Sequence, residues 1–123
     1  MIRISFAVAV LLGIAAPHSV RAQDATAGQA LFKRDCAACH EIVPAKIRIG
    51  PSLFGIVGRA AGADPSFHYT AANKNSALTW DQATLDRYLV NPKAVVPGTT
   101  MTYAGQKDDQ KRGDLIAYLA TLR

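Results

Sequence analysis

The chain has 123 residues, half of them hydrophobic, and 14 Lys+Arg against 9 Asp+Glu for a formal net charge of +5. That length supports one domain with a small core, marginal without help from a cofactor or cross-link. The excess of base is mild and is not interleaved with aromatics, which argues against nucleic acid as a partner and fits docking to an acidic protein surface.

The N-terminus begins Met1-Ile2-Arg3 and continues in an apolar or small-residue run from Phe6 to Ala16. This run falls well short of the ~20 residues a spanning helix needs, so the stretch predicts a secretory signal and not an anchor. Val20-Arg21-Ala22 offers a signal peptidase its small residues, giving expected boundaries of 1–22 for the signal and 23–123 for a single mature domain. Removing the signal takes away Arg3 and Arg21 and no acid, so the mature chain is less basic. Export from a bacterial cytoplasm to the periplasm is the expectation, with no stable membrane insertion afterwards. No repeat, low-complexity tract or linker interrupts 23–123.

The first predicted helix runs from about Ala25 to Cys36, with Leu31 and Phe32 as its large apolar positions. Gly28 lies one turn before Phe32 on the same face. Glycine inside a helix costs about 1 kcal/mol relative to alanine, so Gly28 predicts close approach of another backbone.

Next comes Cys36-Ala37-Ala38-Cys39-His40. Two thiols three residues apart with an imidazole immediately after form the pattern of covalent c-type haem attachment. Each thiol can add across one vinyl group, and the adjacent histidine supplies a neutral nitrogen to the iron. A zinc site would need a second ligand pair, yet the chain has only these two cysteines. A redox disulfide remains the other reading, but it needs no His40 and lacks the strand that precedes a thioredoxin-like motif.

Few residues can supply a second iron ligand. Apart from His18 in the signal and His40, the only histidine is His68, and apart from Met1 the only methionine is Met101. Met101 follows the turn-forming Pro97-Gly98-Thr99-Thr100, whereas His68 lies in an aromatic segment between Phe67 and Tyr69, so Met101 is the expected ligand.

Thr70 predicts a cap for a short helix through Ala71, Ala72 and Asn73. Thr79 and Gln82 read as a capping box for a helix whose buried face is Leu85, Tyr88 and Leu89 and which Asn91-Pro92 ends. The last helix spans about Asp108 to Leu122, with Leu115, Ile116, Tyr118, Leu119 and Leu122 as its stripe and two acids at its N-terminal end. The fold class is therefore all-α, four to five short helices around one haem.

Gly28 with Phe32, Gly50-Pro51-Ser52-Leu53-Phe54-Gly55, Gly58-Arg59, Tyr69-Thr70-Ala71-Ala72-Asn73, Trp80, Tyr88-Leu89, Asn91-Pro92-Lys93, Pro97-Gly98-Thr99 before Met101, and Leu115 with Tyr118 follow one another in an order that resembles class I cytochrome c, of the small bacterial c2 or mitochondrial-like kind. The resemblance implies that Pro51 offers its carbonyl to the outer nitrogen of His40, and that Tyr88 hydrogen-bonds the Met101 sulfur with Asn73 and Thr99 nearby. It implies that Arg59, Tyr69 and Trp80 surround the haem propionates, and that Phe32, Leu53, Leu85, Leu89 and Leu115 form a core that is also the haem pocket. It implies a monomeric one-electron carrier without enzymatic activity, shuttling between a respiratory or photosynthetic donor and a terminal acceptor. The other readings are a dedicated electron-accepting subunit of a periplasmic dehydrogenase and a haem enzyme, the latter without a distal His or Arg pair for acid-base work.

Arg34, Lys93 and Lys107 match rim positions where the family carries lysine and are the docking candidates. Ala94, Thr100 and Asp108 stand where bases are common, so the basic ring is thinned and docking should depend less steeply on salt. Ala94 and Thr100 also remove the lysines that displace methionine at high pH, leaving Lys93 for that exchange or delaying it. Tyr103 replaces the usual phenylalanine beside the haem edge, which is tolerable only if its hydroxyl reaches a polar partner or water.

Overall fold

The computed structural model describes residues 21–123, so most of the predicted signal, residues 1–20 with His18, lies outside the described residues. Five helices follow in order: α1 (Ala25–Asp35), α2 (Ala71–Lys74), α3 (Gln82–Val90), α4 (Pro92–Val95) and α5 (Asp109–Ala120). Among the described residues the only β pairing is an isolated antiparallel bridge between Ala60 and Thr79.

Each longer helix starts at an acid. The Asp24 carboxylate accepts from the Thr26 amide at 2.8 Å and the Ala27 amide at 3.2 Å, and Asp108 accepts from the Lys111 amide at 2.9 Å. Helix α3 is capped by Asp81, which accepts from the Thr84 amide at 2.7 Å. Thr79 is therefore not the cap: it is drawn into the bridge with Ala60, and Gln82 becomes the first helical residue. A carboxylate at the positive end of the helix dipole outcompetes a hydroxyl two residues earlier. Thr70 caps α2 as expected, accepting from the Asn73 amide at 3.2 Å. Asn91 ends α3 and caps α4, with Pro92 at its first turn where a missing N–H costs nothing.

Helices α1 and α5 form the main helical contact, α5 also meeting α3. Leu31 and Phe32 pack there with Leu115, Ile116, Tyr118 and Leu119, all buried, and the Phe32 and Tyr118 rings lie 5.6 Å apart. Full burial of each such side chain is worth about 1.5–3 kcal/mol. The crossing is closest at Gly28, where a β-carbon would stand 1.9 Å from the Asp114 carbonyl oxygen and 2.8 Å from the Tyr118 β-carbon. The close approach predicted for Gly28 is the α1–α5 contact itself.

Polar groups lock this pair from both sides. The buried Asp114 carboxylate accepts from the Asp24 amide at 2.7 Å and the Gln110 side chain at 2.9 Å. Arg112, only 6% exposed, reaches Asp86 on α3 at 2.6 Å, Asp109 at 2.8 Å and the Gln106 carbonyl at 3.1 Å. Its charge is thereby compensated, and α3 and the 101–108 segment are tied to α5.

Replacement of Gly28 by alanine is expected to force α1 and α5 apart and to cost at least about 3 kcal/mol, the upper range for overpacking. For a chain this size that corresponds to a fall in Tm of roughly 10 °C or more, read by thermal denaturation. An unchanged Tm would show that the crossing is not tight.

Candidate haem site

The loops between helices, and not the helices alone, build the cavity. Its lining includes Cys36, Cys39, His40, Thr99, Met101 and Tyr103 together with the apolar Leu53, Ile56, Leu85, Leu89, Leu115 and Leu119. Cys36 sits at the C-terminus of α1, and the amides of Cys39 and His40 both bond the Cys36 carbonyl, which rolls the motif into a tight turn.

The His40 imidazole is set by its surroundings. Its Nδ1 lies 2.7 Å from the Pro51 carbonyl oxygen. A carbonyl can only accept, so Nδ1 carries the proton and Nε2 keeps its lone pair free for a metal. Gly50 lies flat beneath the ring: a β-carbon there would meet Cε1 at 2.4 Å and Nδ1 at 2.8 Å. The turn is held to the motif by Gly50 N–H on the Cys39 carbonyl and Leu53 N–H on the Glu41 carbonyl, each at 2.8 Å. Ser52, 2% exposed, adds a hydroxyl that donates to the Val43 carbonyl at 2.7 Å and accepts from the Phe54 amide at 3.2 Å.

Met101 is fixed by different means. The Tyr88 hydroxyl donates to its sulfur at 3.2 Å, and its own amide donates to the Thr99 hydroxyl at 3.2 Å. Burial pushes the Tyr88 phenol above its ordinary range, with Thr99 acting the other way, so the donor persists in alkali. The Trp80 and Tyr88 rings are 4.6 Å apart.

Arg59, Tyr69 and Trp80 all line the cavity. Two short segments bring them there, since Trp80 N–H bonds the Arg59 carbonyl and Gly58 N–H the Trp80 carbonyl, both at 2.9 Å. The Arg59 guanidinium donates to the Ser52 carbonyl at 2.9 Å and the Phe54 carbonyl at 3.2 Å, with Asp64 at 3.9 Å. Arg59 thus clamps the Pro51 turn while lining the cavity. Asn73 stands on α2 and does not line the cavity, unlike Thr99. His68 is exposed and does not line it either.

Among the docking candidates, Arg34 is engaged by Asp35 through two bonds of 2.6 and 2.7 Å, and Lys107 donates to the Val90 carbonyl. Lys93 is exposed on α4. Tyr103 is half-buried at the cavity, and among the described residues no buried side-chain polar atom lacks a partner. Ser52 was not among the sequence expectations, although a hydroxyl following a Gly-Pro pair is the kind of group that bonds local backbone.

The donor set fits a haem. A neutral, oriented imidazole, a hydrogen-bonded thioether, two free thiols and apolar walls answer the needs of ligation, tethering and exclusion of water. Burial raises the Cys36 thiol to about 11, with Asp35 and Cys39 adding to the shift, so it stays protonated at neutral pH.

Burial also depresses the His40 pKa below 6.5, against the opposing Pro51 bond and with help from Arg59. An imidazole held neutral in the fold binds fewer protons than the unfolded chain once pH drops below 6.5, so its stability contribution is present above that pH and lost below it. Metal ligation at Nε2 has the same sign, because iron and proton compete for one lone pair. Asp35, Glu41 and Asp81 are all held below the ordinary carboxylate range by hydrogen bonds, so their contributions disappear only in stronger acid. The guanidinium midpoint should therefore be level above pH 7 and decline between pH 6.5 and 5, and a level midpoint down to pH 5 would contradict this account of His40.

Comparison with known proteins agrees with the geometry. The sequence model of the Cytochrome c family matches residues 25–123. Cytochrome c2 of Rhodomicrobium vannielii is 49% identical over 121 residues, 98% of this chain and 94% of that protein. Cytochrome c2 of Blastochloris viridis is 46% identical over 120 residues, 97% of this chain and 92% of that one. The solved structure of cytochrome cH from Methylobacterium extorquens superposes with a TM-score of 0.75 at 45% identity, covering 80% of this chain and 98% of that one. With the family model covering nearly all the described residues and relatives of this identity, the chain belongs to the cytochrome c family, class I, with haem c covalently bound as its cofactor.

Proposed function

We propose that this protein is a periplasmic one-electron carrier, delivered by an N-terminal signal of residues 1–22, in which Cys36 and Cys39 would tether the haem and His40 and Met101 would ligate its iron. Haem c, when bound, supplies an iron that cycles between ferric and ferrous states. The observation that carries the reading is the pair of hydrogen bonds on one cavity, His40 Nδ1 to Pro51 and Tyr88 to the Met101 sulfur. Each would-be ligand is already oriented by a neighbour, so the same ligands can serve both oxidation states with little rearrangement.

His40 and Met101 would both be committed to holding the iron, which favours a carrier over an enzyme. The Met101 thioether and the apolar walls favour ferrous iron and a positive potential. Arg59, Tyr69 and Trp80 would hold the polar side of the cavity suited to propionates, while Thr99 flanks the Tyr88–Met101 pair. The carrier acts as a monomer and docks acidic redox partners of a respiratory or photosynthetic chain through a rim that includes Arg34, Lys93 and Lys107. A permanent dehydrogenase subunit would need an obligate interface of roughly 2,000 Å² or more. The exposed large apolar side chains among the described residues are three, in one loop, which favours transient docking. Among the described residues no helix is long and apolar enough to cross a membrane.

The optical spectrum of the oxidised protein tests the ligand set. The weak long-wavelength band of sulfur on ferric iron should be present in the wild type and lost in Met101→Ala; its absence from the wild type would remove Met101 as the ferric ligand. Tyr88→Phe should lower the reduction potential, because the hydroxyl withdraws density from the sulfur and so favours ferrous iron. One lost hydrogen bond of about 1 kcal/mol corresponds to at most roughly 40 mV for one electron. Redox titration reads the shift, and an upward one would refute the assigned direction.

A further inference from the structure

The surface distribution of apolar residues is uneven. Among the described residues every exposed large hydrophobic side chain, Val43 at 48%, Ile47 at 44% and Ile49 at 79%, lies in one seven-residue loop. Residues 43–49 are exposed without a break. Scattered single apolar residues on a surface need no explanation, but three confined to one short loop do.

The loop is fixed in place. Glu41 accepts from Arg48 at 2.5 Å and pairs with Lys46 at 3.5 Å, and Ser52 holds the Val43 carbonyl from beneath. Lys46 and Arg48 share that single acid, so the apolar residues stand among charges that are largely satisfied internally, with a surplus of one positive charge. Ile49, exposed and yet lining the haem cavity, stands on the cavity rim and joins the patch to that cavity. Meanwhile the basic rim is blunted, since Arg34 is paired with Asp35 and Lys107 is turned to a backbone carbonyl.

We propose that the Val43–Ile49 loop is the docking surface for this protein's electron-transfer partner, a redox protein whose contact face is apolar at its centre and acidic at its rim. This rests on the carrier reading given above and specifies its partner. The apolar side chains at the cavity rim supply the desolvated centre of the contact, and Lys46, Arg48 and the net positive chain meet the acidic rim. The arrangement sets close approach by burial and leaves charge a steering part only, so docking survives salt that would dissociate a lysine-led complex. An anionic membrane would also meet a basic and apolar loop, but three short aliphatic side chains bury too little for stable anchoring, and a membrane gives no reason for the patch to adjoin the cavity.

The test uses the full holoprotein and purified bacterial aa3-type cytochrome c oxidase as the probe. The double variant Ile47→Ser/Ile49→Ser is expected to raise KM about tenfold with kcat unchanged, equally at low and at high salt, as loss of a central apolar contact does. Lys74→Ala, an exposed base on α2 outside the loop and the docking rim, should change KM less than twofold. Variants within twofold of the wild type, or an effect that vanishes at high salt, would overturn the proposal. So would a wild-type dimer that Ile49→Ser dissolves in sedimentation, or wild-type co-sedimentation with vesicles of phosphatidylglycerol that the double variant loses. Folding is checked by the sulfur-to-iron band and Tm of the double variant. Loss of the carrier reading looks different: the wild type would then lack a reversible one-electron couple in titration with small-molecule mediators.

Discussion

The hydrogen bond from His40 Nδ1 to the Pro51 carbonyl is the constraint on which the rest of the site depends. A histidine free to rotate offers either nitrogen in many directions, and ligation would then have to bear the cost of ordering it. Here the tautomer and the ring plane are settled by the polypeptide. Gly50 gives the ring room, Ser52 ties the turn to the Glu41–Val43 backbone, and Arg59 grips it through the Ser52 and Phe54 carbonyls. Proline suits the position twice over, because its φ is fixed and the carbonyl it presents needs no N–H in return. A carbonyl bonded to the outer nitrogen also raises imidazole basicity, so backbone geometry would reach the electronics of a metal held at Nε2.

The two candidate donors, His40 and Met101, are secured by opposite strategies. His40 is locked by an acceptor that pushes density toward the ring, Met101 by a Tyr88 hydroxyl that draws density from the sulfur. Together they favour a nitrogen donor that is strong and a sulfur donor that is soft. The Met101 segment has no regular secondary structure, so its position depends on the Thr99 hydroxyl, on Tyr88 from α3 and on the anchoring of 101–108 through Arg112. Arg112 is far from the chemistry in role but sets the distance between α3 and α5, between which the cavity opens.

The sequence was most legible where a residue type has few uses. Cys36, Cys39 and His40 at fixed spacing, and Met101 as the lone internal methionine, left little freedom of interpretation. Helix faces were legible for the same reason, since Leu85, Tyr88 and Leu89 or Leu115, Ile116 and Leu119 repeat at helical spacing and are buried. Less legible were features that depend on competition between neighbours. Thr79 and Asp81 both suit a cap, and only the pairing of 58–61 with 78–80 decides that Asp81 takes it. Ser52 and Arg112 were hidden because serine and arginine are common on surfaces, and burial of either depends on partners distant in sequence. The pairing of Arg34 with Asp35 was open to adjacency reasoning, yet helix geometry places neighbours on different faces, so a bond at that spacing is not expected.

Much of the cavity wall comes from segments without regular secondary structure: 49–59, 67–69 and 99–103. Such segments cannot satisfy their backbone and bury apolar surface by themselves, and a chain this short has little helical core to spare for them. The cofactor supplies what is missing. A rigid apolar body held in this cavity would give Leu53, Ile56, Leu89 and Leu119 a surface to pack on, and covalent attachment would keep it there. Binding energy for the haem is then folding energy for the loops, by the same linkage that lets any tightly held ligand stabilise the state that holds it. The crossing at Gly28 and the hydrogen bonds of the Pro51 turn and of Met101 set the frame, and the apolar side chains that line the cavity would bury against the cofactor. Attachment, folding and the setting of the iron's ligands are for this protein one process, in which the helices provide the frame and the cofactor completes the core.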